Sequence, residues 1–368
     1  MYREFNIPEE ETEELLALAS IATICDVMEL KDENRSIVSL GLEKLKFTKN
    51  IGLKALFDIY NLESADVTDI GFKIGPCFNS SGRLSTAEMG LEVLTSDNKE
   101  LVFQKAKELY DLNCQRKQMT VDAFAKALEI IESKRLDLNK IIIVYMNDIH
   151  ESIAGIVASR IKDKYNRPSI VFADSEDLIK GSARSVEDIN IFEQISKYKH
   201  LLMKFGGHPM AAGMSVSREL FEEFCDKLTY SINKIDFSIQ KQYKVDLLLN
   251  FTDIDETIGQ KLKVLEPHGK GNEKIIFSTT KSLLLDYKVI GKNSNVLKLN
   301  FQQSGKVLEF IAFRDISQII NIIKNKVQFT NNNDIILSDK NKFDILYTIG
   351  TNVFNGSERL QLELISIR

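Results

Sequence analysis

Three short stretches carry groups suited to holding an anion. The first, KFGGHPMAAG (Lys204–Gly213), sets one imidazole, His208, beside Gly206 and Gly207. Glycines leave backbone N–H groups open to an anion with no Cβ in the way. His208 adds a donor, and Ala211, Ala212 and Gly213 let the next segment approach a bound chain closely. The plainer alternative is a helix ending at Phe205, with a glycine in its left-handed cap. The second stretch, KGSARS (Lys180–Ser185), groups Ser182, Ser185 and Arg184 around a glycine at a strand end. Hydroxyl, guanidinium and bare backbone are the groups that hold phosphate oxygens; an edge strand with a polar face explains them equally. The third, GPCFNSSGRL (Gly75–Leu84), puts Asn79 and Arg83 in a turn-rich stretch. A capping box, Ser85-x-x-Glu88, then opens a helix just after Arg83. Helix N-termini favour anions; the alternative is a cap loop with a solvated arginine.

Other candidates are weaker. Asp26 lies on an otherwise apolar stretch, where a carboxylate is costly unless paired or metal-bound. By itself it reads as a salt-bridge partner or a turn residue. His150 opens the helix ESIAGIVASR, either as a simple first-turn residue or pointing into the same cleft. Arg160 reads as a side chain snorkelling along that helix. Asp253 and Asp255 read as helix caps. The sequence has no P-loop, G-x-G-x-x-G, H-E-x-x-H or G-x-S-x-G.

The elements that must position these groups fall into blocks. Apolar spacing gives a helix over 12–30, a second through Leu40 and Leu45, and a third near Ile51–Leu62. A very long helix runs from Asp97 to about Lys134, a spacer between domains. Strand and helix then alternate over 138–234: KIIIVYM, ESIAGIVASRIKDKYN, PSIVFA, LIKGSARSV, a helix from NIFEQ to Phe205, AAGMSVS and RELFEEFCDKLTYSI. That alternation predicts an α/β domain. After Lys241, short strands and one helix, DETIGQKLKVLEP, predict a small OB-like barrel.

Bulk properties set limits. The chain has 368 residues, enough for two or three cores, and a net charge of −5. It is no basic coat for DNA, although a local basic groove would suffice to bind it. The four cysteines form no C-x-x-C. No disulfide framework or zinc site is expected, and a reducing, cytoplasmic compartment fits. The first residues are acidic and lack the apolar core of a signal peptide, and no apolar run reaches membrane-spanning length. A membrane partner is therefore not expected.

Taken together, HESIAGIVASRIKDKYNRPSIVF, KGSARS and KFGGHPMAAG, in that order and spacing, resemble the DHH-associated domain of RecJ-type single-strand-specific exonucleases. CDVMELKDENR resembles the last acidic motif of that family's catalytic domain, GPCFNSSGRL its P-R-I-N-x-x-G-R-L motif, and LEPHGKGNEKIIF the start of its OB domain. The Gly-Gly-His domain alone also occurs in alanyl-tRNA synthetases and small oligonucleotide phosphatases; the OB segment points to RecJ. The resemblance implies an α/β chain in four parts. These are a partial DHH catalytic domain (1–95), a connecting helix (96–137), the DHH-associated domain (138–234) and an OB-like barrel (235–368).

It also implies roles. Asp26 matches an aspartate that helps bind the catalytic Mn²⁺ or Mg²⁺. Asn79 and Arg83 match groups near the scissile phosphate. His150, Ser182, Arg184, Ser185, Gly206, Gly207 and His208 match a surface that grips DNA. The implied activity is metal-dependent 5′→3′ hydrolysis of single-stranded DNA, in repair and recombination. There are departures. Cys77 stands where the family has Arg, and His268 where it has Phe. The family's D-x-D and D-H-H motifs are missing, so the chain resembles the C-terminal part of such a protein. One aspartate does not hold two divalent ions. The expectation is a binding-competent part, with a separate chain carrying the missing motifs as a candidate partner. The alternatives are a non-catalytic single-strand-binding protein and an oligonucleotide phosphatase.

Overall fold

The computed structural model describes residues 4–5, 9–291, 295–328, 330, 335–354 and 357–368. Residues 1–3 and 6–8 of the expected 1–95 segment lie outside the described residues. Two compact units result: Lys46–Gln242, and Met1–Leu45 together with Tyr243–Arg368.

The second of these begins with a helical hairpin, α1 (Glu9–Cys25) and α2 (Asp32–Leu45). Gly41 lets the helices meet; a Cβ there would lie 2.4 Å from that of Ser20. The first helix stops at Cys25, earlier than expected. Val27 takes a left-handed φ of 54°, which a helix cannot continue through. Leu30 is buried, and its N–H donates to the Lys270 carbonyl at 2.7 Å. Arg35 Nη2 donates to the Val264 carbonyl at 3.1 Å. These bonds tie the hairpin to the loop that opens the barrel.

Lys46–Gln242 carries α3 (Ile51–Tyr60), a short α4 (Val67–Asp69), a π-helical turn (Ile70–Ile74), α5 (Gly75–Leu84), α6 (Glu88–Thr95) and the 35-residue α7 (Lys99–Ser133). It continues as β1 (Ile142–Met146), α8 (Glu151–Tyr165), β2 (Ser169–Ser175), β3 (Leu178–Arg184), α9 (Ile191–Ser196), β4 (Lys204–His208), β5 (Ala211–Val216) and α10 (Arg218–Asn233). At 1.5 Å per residue α7 is about 50 Å long. Its buried stripe, Val102, Ala106, Leu109, Asn113, Thr120, Ala123, Ala127 and Ile131, repeats every three or four residues. The five-stranded sheet has the order β1-β2-β3-β5-β4, with β1 and β2 parallel and the others antiparallel. One face packs on α8 and α7 through Val144, Val171, Val157 and Ile161. The other packs on α9 and α10 through Phe172, Met214, Phe224 and Leu228.

Two local expectations fail here. The stretch 70–84 is helical, not turn-rich. Pro76 sits in the first turn of α5, where its missing N–H costs nothing. Ser80 and Ser81 return their hydroxyls to backbone carbonyls within the helix. Ser85 ends α5 and Ala87 precedes α6, so Ser85 and Glu88 form no capping box. The helix expected to reach Phe205 stops at Ser196. Lys204–His208 instead pairs with β5, and Phe205 stacks on Phe192 at 5.7 Å.

The barrel contains β6 (Leu247–Leu248), α11 (Glu256–Leu262), β7 (Phe277–Ile290), β8 (Val296–Gln303), β9 (Lys306–Ala312), α12 (Ile316–Lys326), β10 (Lys342–Phe354) and β11 (Ser357–Ile367). Strands follow the order β10-β11-β9-β8-β7, and β7 pairs back to β10. Five strands thus close an OB-type barrel, and β6 adds parallel to β7. The expected single helix is joined by a second, α12, whose Ile319 and Ile323 enter the core. Phe251, Phe277, Phe301, Phe310, Phe343 and Tyr347 fill the centre. Among the described residues no helix is long and apolar enough to cross a membrane.

Tyr347 is fully buried, with its hydroxyl 2.9 Å from Thr279 Oγ1. Burial pushes its phenol up to about 12 from 10. A phenol raised on folding contributes stability that is present below pH 10 and lost as pH rises through about 12. Tyr347→Phe should cost about 1 kcal/mol near neutral pH, the scale of one hydrogen bond. It should also flatten the loss of stability between pH 10 and 12. Urea titrations at several pH values check this; identical slopes for both proteins would assign the alkaline loss elsewhere.

Candidate nucleic-acid interface

Half of one sheet face has no cover. Opposed residues in an antiparallel ladder share a face. Ser182, Gly213 and Gly206 form one such row across β3, β5 and β4, and Arg184, Ala211 and His208 form the next. Helix α8 covers this face over β1 and β2 and reaches β3. Beyond it, a Cβ built at Gly206 or at Gly213 would meet nothing within 4 Å. Gly206, Gly207, His208 and Gly213 are exposed. The result is a shelf of bare backbone with a cation on one side and an imidazole on the other. Arg184 and His208 stand two strand spacings apart, about 10 Å.

Gly207 has a different task. Its φ is +153°, and a Cβ there would lie 2.3 Å from the Ala211 carbonyl oxygen and 2.6 Å from Ala212 Cα. The Gly-Gly pair therefore divides its labour: Gly207 closes the Pro209-Met210 hairpin, and Gly206 stays open.

The histidines are fixed through the same ring atom. Met210 N–H donates to His208 Nδ1 at 3.3 Å, and Ser152 N–H donates to His150 Nδ1 at 3.2 Å. An Nδ1 that accepts carries no proton, so each neutral ring presents Nε2–H as a donor. His150 is the N-cap of α8. Ser182 is half-buried on the shelf. Ser185 does not face outward, contrary to expectation: it is buried, and its hydroxyl donates to the Ile189 carbonyl at 2.6 Å. It holds the turn after β3.

Arg184 lies against α8, its Nη2 2.8 Å from where a Cβ on Gly155 would be, so a larger residue there would displace the guanidinium. Arg83, in the last turn of α5, donates through Nη1 to the Ser152 carbonyl at 2.8 Å in the first turn of α8. Asn79 is exposed one turn earlier on α5. Neither residue is at a helix N-terminus, because α5 itself holds both. Burial and then the nearby Arg83 lower the pKa of Arg184. Two further arginines join the group: Arg116 on α7, which sequence reasoning passed over, and Arg160 on α8, which it read only as snorkelling. Burial, Arg83 and Arg160 together lower Arg116. The polar residues Asn113 and Thr120 inside the apolar stripe of α7 were the sequence signal for this place. Among the described residues none of the four arginines has a carboxylate partner. Cationic side chains crowded together without anions mark a place for an external anion.

A family model described as the DHHA1 domain matches residues 138–234, and one described as the RecJ OB domain matches residues 245–366. The single-stranded-DNA-specific exonuclease RecJ of Bacillus subtilis is 33% identical over 309 residues, covering 82% of this chain and 39% of its own. The one from Haemophilus influenzae is 31% identical over 380 residues, covering 98% of this chain and 63% of its own. A crystal structure of RecJ in complex with Mn²⁺ from Thermus thermophilus covers all of this chain and 51% of its own, with a TM-score of 0.80 at 23% identity. The chain belongs to the RecJ family. It spans less than two thirds of the length of these curated relatives.

Measured against the RecJ pattern, Asp26 sits differently from expectation. It is exposed in the turn after α1, not on the apolar side of a helix. It belongs to the unit that contains the barrel, whereas the shelf and the arginines belong to the other. Among the described residues no three His, Cys, Asp or Glu side chains converge in a way that could hold a metal ion. The described residues therefore do not make a divalent-metal site, although RecJ structures have been solved with Mg²⁺ and with Mn²⁺. Cys77 is buried and points inward. Its thiol lies 3.2 Å from the Tyr60 hydroxyl, and burial raises its pKa. His268 Nδ1 lies 3.4 Å from the Asn272 carbonyl in the loop before β7.

The two glycines should respond oppositely to one added methyl. Gly207→Ala should destabilise this unit by about 1–3 kcal/mol, the cost of forcing a side chain into such backbone. Gly206→Ala should stay within about 0.5 kcal/mol of the parent. Urea midpoints for the two variants decide, and equal losses would mean that the hairpin does not depend on Gly207.

Proposed function

We propose that this chain grips single-stranded DNA on the glycine shelf, as the strand-holding part of 5′→3′ RecJ-type exonuclease chemistry. The observation that carries the reading is the uncovered half-sheet bordered by Arg184 and His208, with Arg83 beside it and, among the described residues, no carboxylate paired to either arginine. Bare backbone at Gly206 and Gly213 lets a sugar-phosphate chain lie close. Arg184 and Arg83 meet phosphate oxygens, and the Nε2–H groups of His208 and His150 donate to them. Asn79 and Ser182 complete the polar lining. Such contacts fix position without reading bases. The OB-type barrel is the second strand-binding element of the chain in this reading, because such barrels grip single strands.

Hydrolysis in the full RecJ scheme uses divalent ions to activate water and stabilise the leaving oxygen. Asp26 would supply one ligand. The further ligands that such chemistry needs are not among the described residues, whose part in this reading is to hold the strand. The division of the sequence near residues 95, 137 and 234 belongs to the same reading.

Anisotropy titrations with labelled oligothymidylate, over a range of salt, test the proposal. Arg184→Ala should weaken binding equally for all sequences and lower the salt slope by about 0.7. His208→Ala should cost roughly 1 kcal/mol. Sharing one ligand, the two should be non-additive. With Mn²⁺ present, no mononucleotide should be released. An unchanged slope for Arg184→Ala together with full affinity for His208→Ala would move the binding surface off the shelf.

A further inference from the structure

The sheet of Lys46–Gln242 ends in two edge strands, and they differ. β4 carries Lys204, two glycines and His208, and is largely exposed. β1 reads Ile-Ile-Val-Tyr-Met, with no charge, no proline and no bulge in its ladder with β2. Edge strands are usually blunted by one of these devices, because an open apolar edge recruits another strand. In the parallel ladder the Ile142 N–H donates to the Pro168 carbonyl at 2.9 Å. Ile142, Val144 and Met146 therefore direct their backbone groups at β2. Those of Ile143 and Tyr145 point the other way, and among the described residues β1 pairs with β2 alone.

Two helices frame this edge. α7 packs on one side of β1, where Ile131 joins the core of Ile142 and Val144. α10 packs on the other, where Phe224 and Leu228 join the core of Ile141. Between them runs a groove of about 260 Å³, lined by Ile130 and Lys134 at the end of α7, Ile143 and Tyr145 of β1, and Cys225 and Asp226 of α10. Ile143 and Tyr145 are half-buried, so the edge is recessed. Lys134 and Asp226 are exposed on its walls, and among the described residues neither has an ion-pair partner. Nearby charges are matched: Arg218 pairs with Asp174 at 3.0 Å, and Lys140 Nζ donates to the Ile235 carbonyl at 2.6 Å. One cation and one anion around an apolar floor make no field for a nucleic-acid backbone. They complement a segment with one carboxylate and one cation of its own. A second copy of this chain does not fit, because its β1 is recessed between the same two helices. An extended segment without flanking helices does.

We propose that the free edge of β1 takes an extended peptide segment of a partner protein as a further strand. Alternate apolar side chains of the segment enter the groove, and the backbone groups of Ile143 and Tyr145 supply the pairing. A carboxylate of the segment meets Lys134, and a cation meets Asp226. The site lies at the opposite edge of the sheet from β4 and does not depend on the strand-binding reading of the shelf.

A random heptapeptide library displayed on phage is panned against the full chain. Enriched sequences are then made as fluorescein-labelled peptides for anisotropy titration. They should show apolar residues at alternate positions and one charge of each sign. N-methylating the peptide amides that face β1 should weaken binding about tenfold, the scale of one backbone hydrogen bond; methylating the intervening amides should not. Ile143→Pro removes an outward N–H that the sheet does not use, which an edge strand tolerates, and should also weaken binding about tenfold. Lys134→Glu should weaken it about threefold, the scale of an exposed ion pair. Replacing the peptide's carboxylate by lysine should recover that loss. Oligothymidylate affinity should stay within about twofold for both variants, as screening at this distance requires; a larger loss would place this edge in the DNA interface and overturn the proposal. No enrichment, enrichment without alternation, or binding indifferent to both variants would also overturn it. So would a dimer of the parent protein that Ile143→Pro dissociates. The thermal transition of Ile143→Pro is checked first; if it does not fold, the N-methylated peptides and Lys134→Glu decide.

Discussion

Four guanidinium groups that have no carboxylate partner among the described residues repel one another, and Lys46–Gln242 holds them with neutral contacts. Each is anchored by something uncharged. Arg83 donates to a backbone carbonyl in α8, Arg116 to Asn113, and Arg184 to its neighbouring carbonyl while lying against Gly155; Arg160 rests on the Phe124 ring. Neutral anchors hold position without cancelling charge. A carboxylate at any of these places would stabilise the unliganded protein and remove its attraction for a polyanion. The polar interruption in α7, at Asn113 and Thr120, follows from this need. It replaces apolar burial with hydrogen bonds at the one level of the helix where a cation must be aimed.

The shelf obeys a related constraint. A sheet face without cover cannot carry large apolar side chains, and an ordinary polar face would lift a ligand away from the backbone. Glycine, alanine and serine satisfy both conditions. The opposite face compensates. There Phe172 lies where Gly181 leaves room, and Phe224, Leu228 and Met214 form a continuous core under β3 and β5. The open face is therefore rigid from below. That rigidity positions Arg184 and His208 across Ala211 without any contact between them.

The barrel unit shows a looser division between what is fixed and what is adapted. Its core of aromatic residues closes five strands, and within it the Tyr347 hydroxyl meets Thr279, which in turn donates to the Leu249 carbonyl. The α1–α2 hairpin is attached through backbone bonds at Leu30 and through Arg35, and Gly269 allows Leu30 to come close. Asp26 follows this hairpin's first helix as an exposed turn residue, which explains how a lone carboxylate is tolerated without a partner.

The sequence by itself determined the family, the alternation of strand and helix over 138–234, the long α7 and the strands of the barrel. It also named His150, Ser182, Arg184, Gly206, Gly207 and His208 as candidates, of which the fold sets Ser182, Arg184, Gly206 and His208 on one sheet face. These rest on local periodicity and on residue types that only particular backbones need. Tertiary structure decided the rest. Whether KFGGH is a helix cap or a strand depends on β5 lying alongside to pair with it, and no local pattern reports that. GPCFNSSGRL looks like a loop because of its glycine, proline and serines; it is a helix because α3 and α7 bury one side of it and its serines bond back to their own helix. Ser185 and Cys77 look like surface chemistry until burial turns them inward. Arg116 and Arg160 gain meaning only when three helices bring them to Arg83. Their spacing in the chain is arbitrary, and the repulsion that marks them exists only in the folded protein.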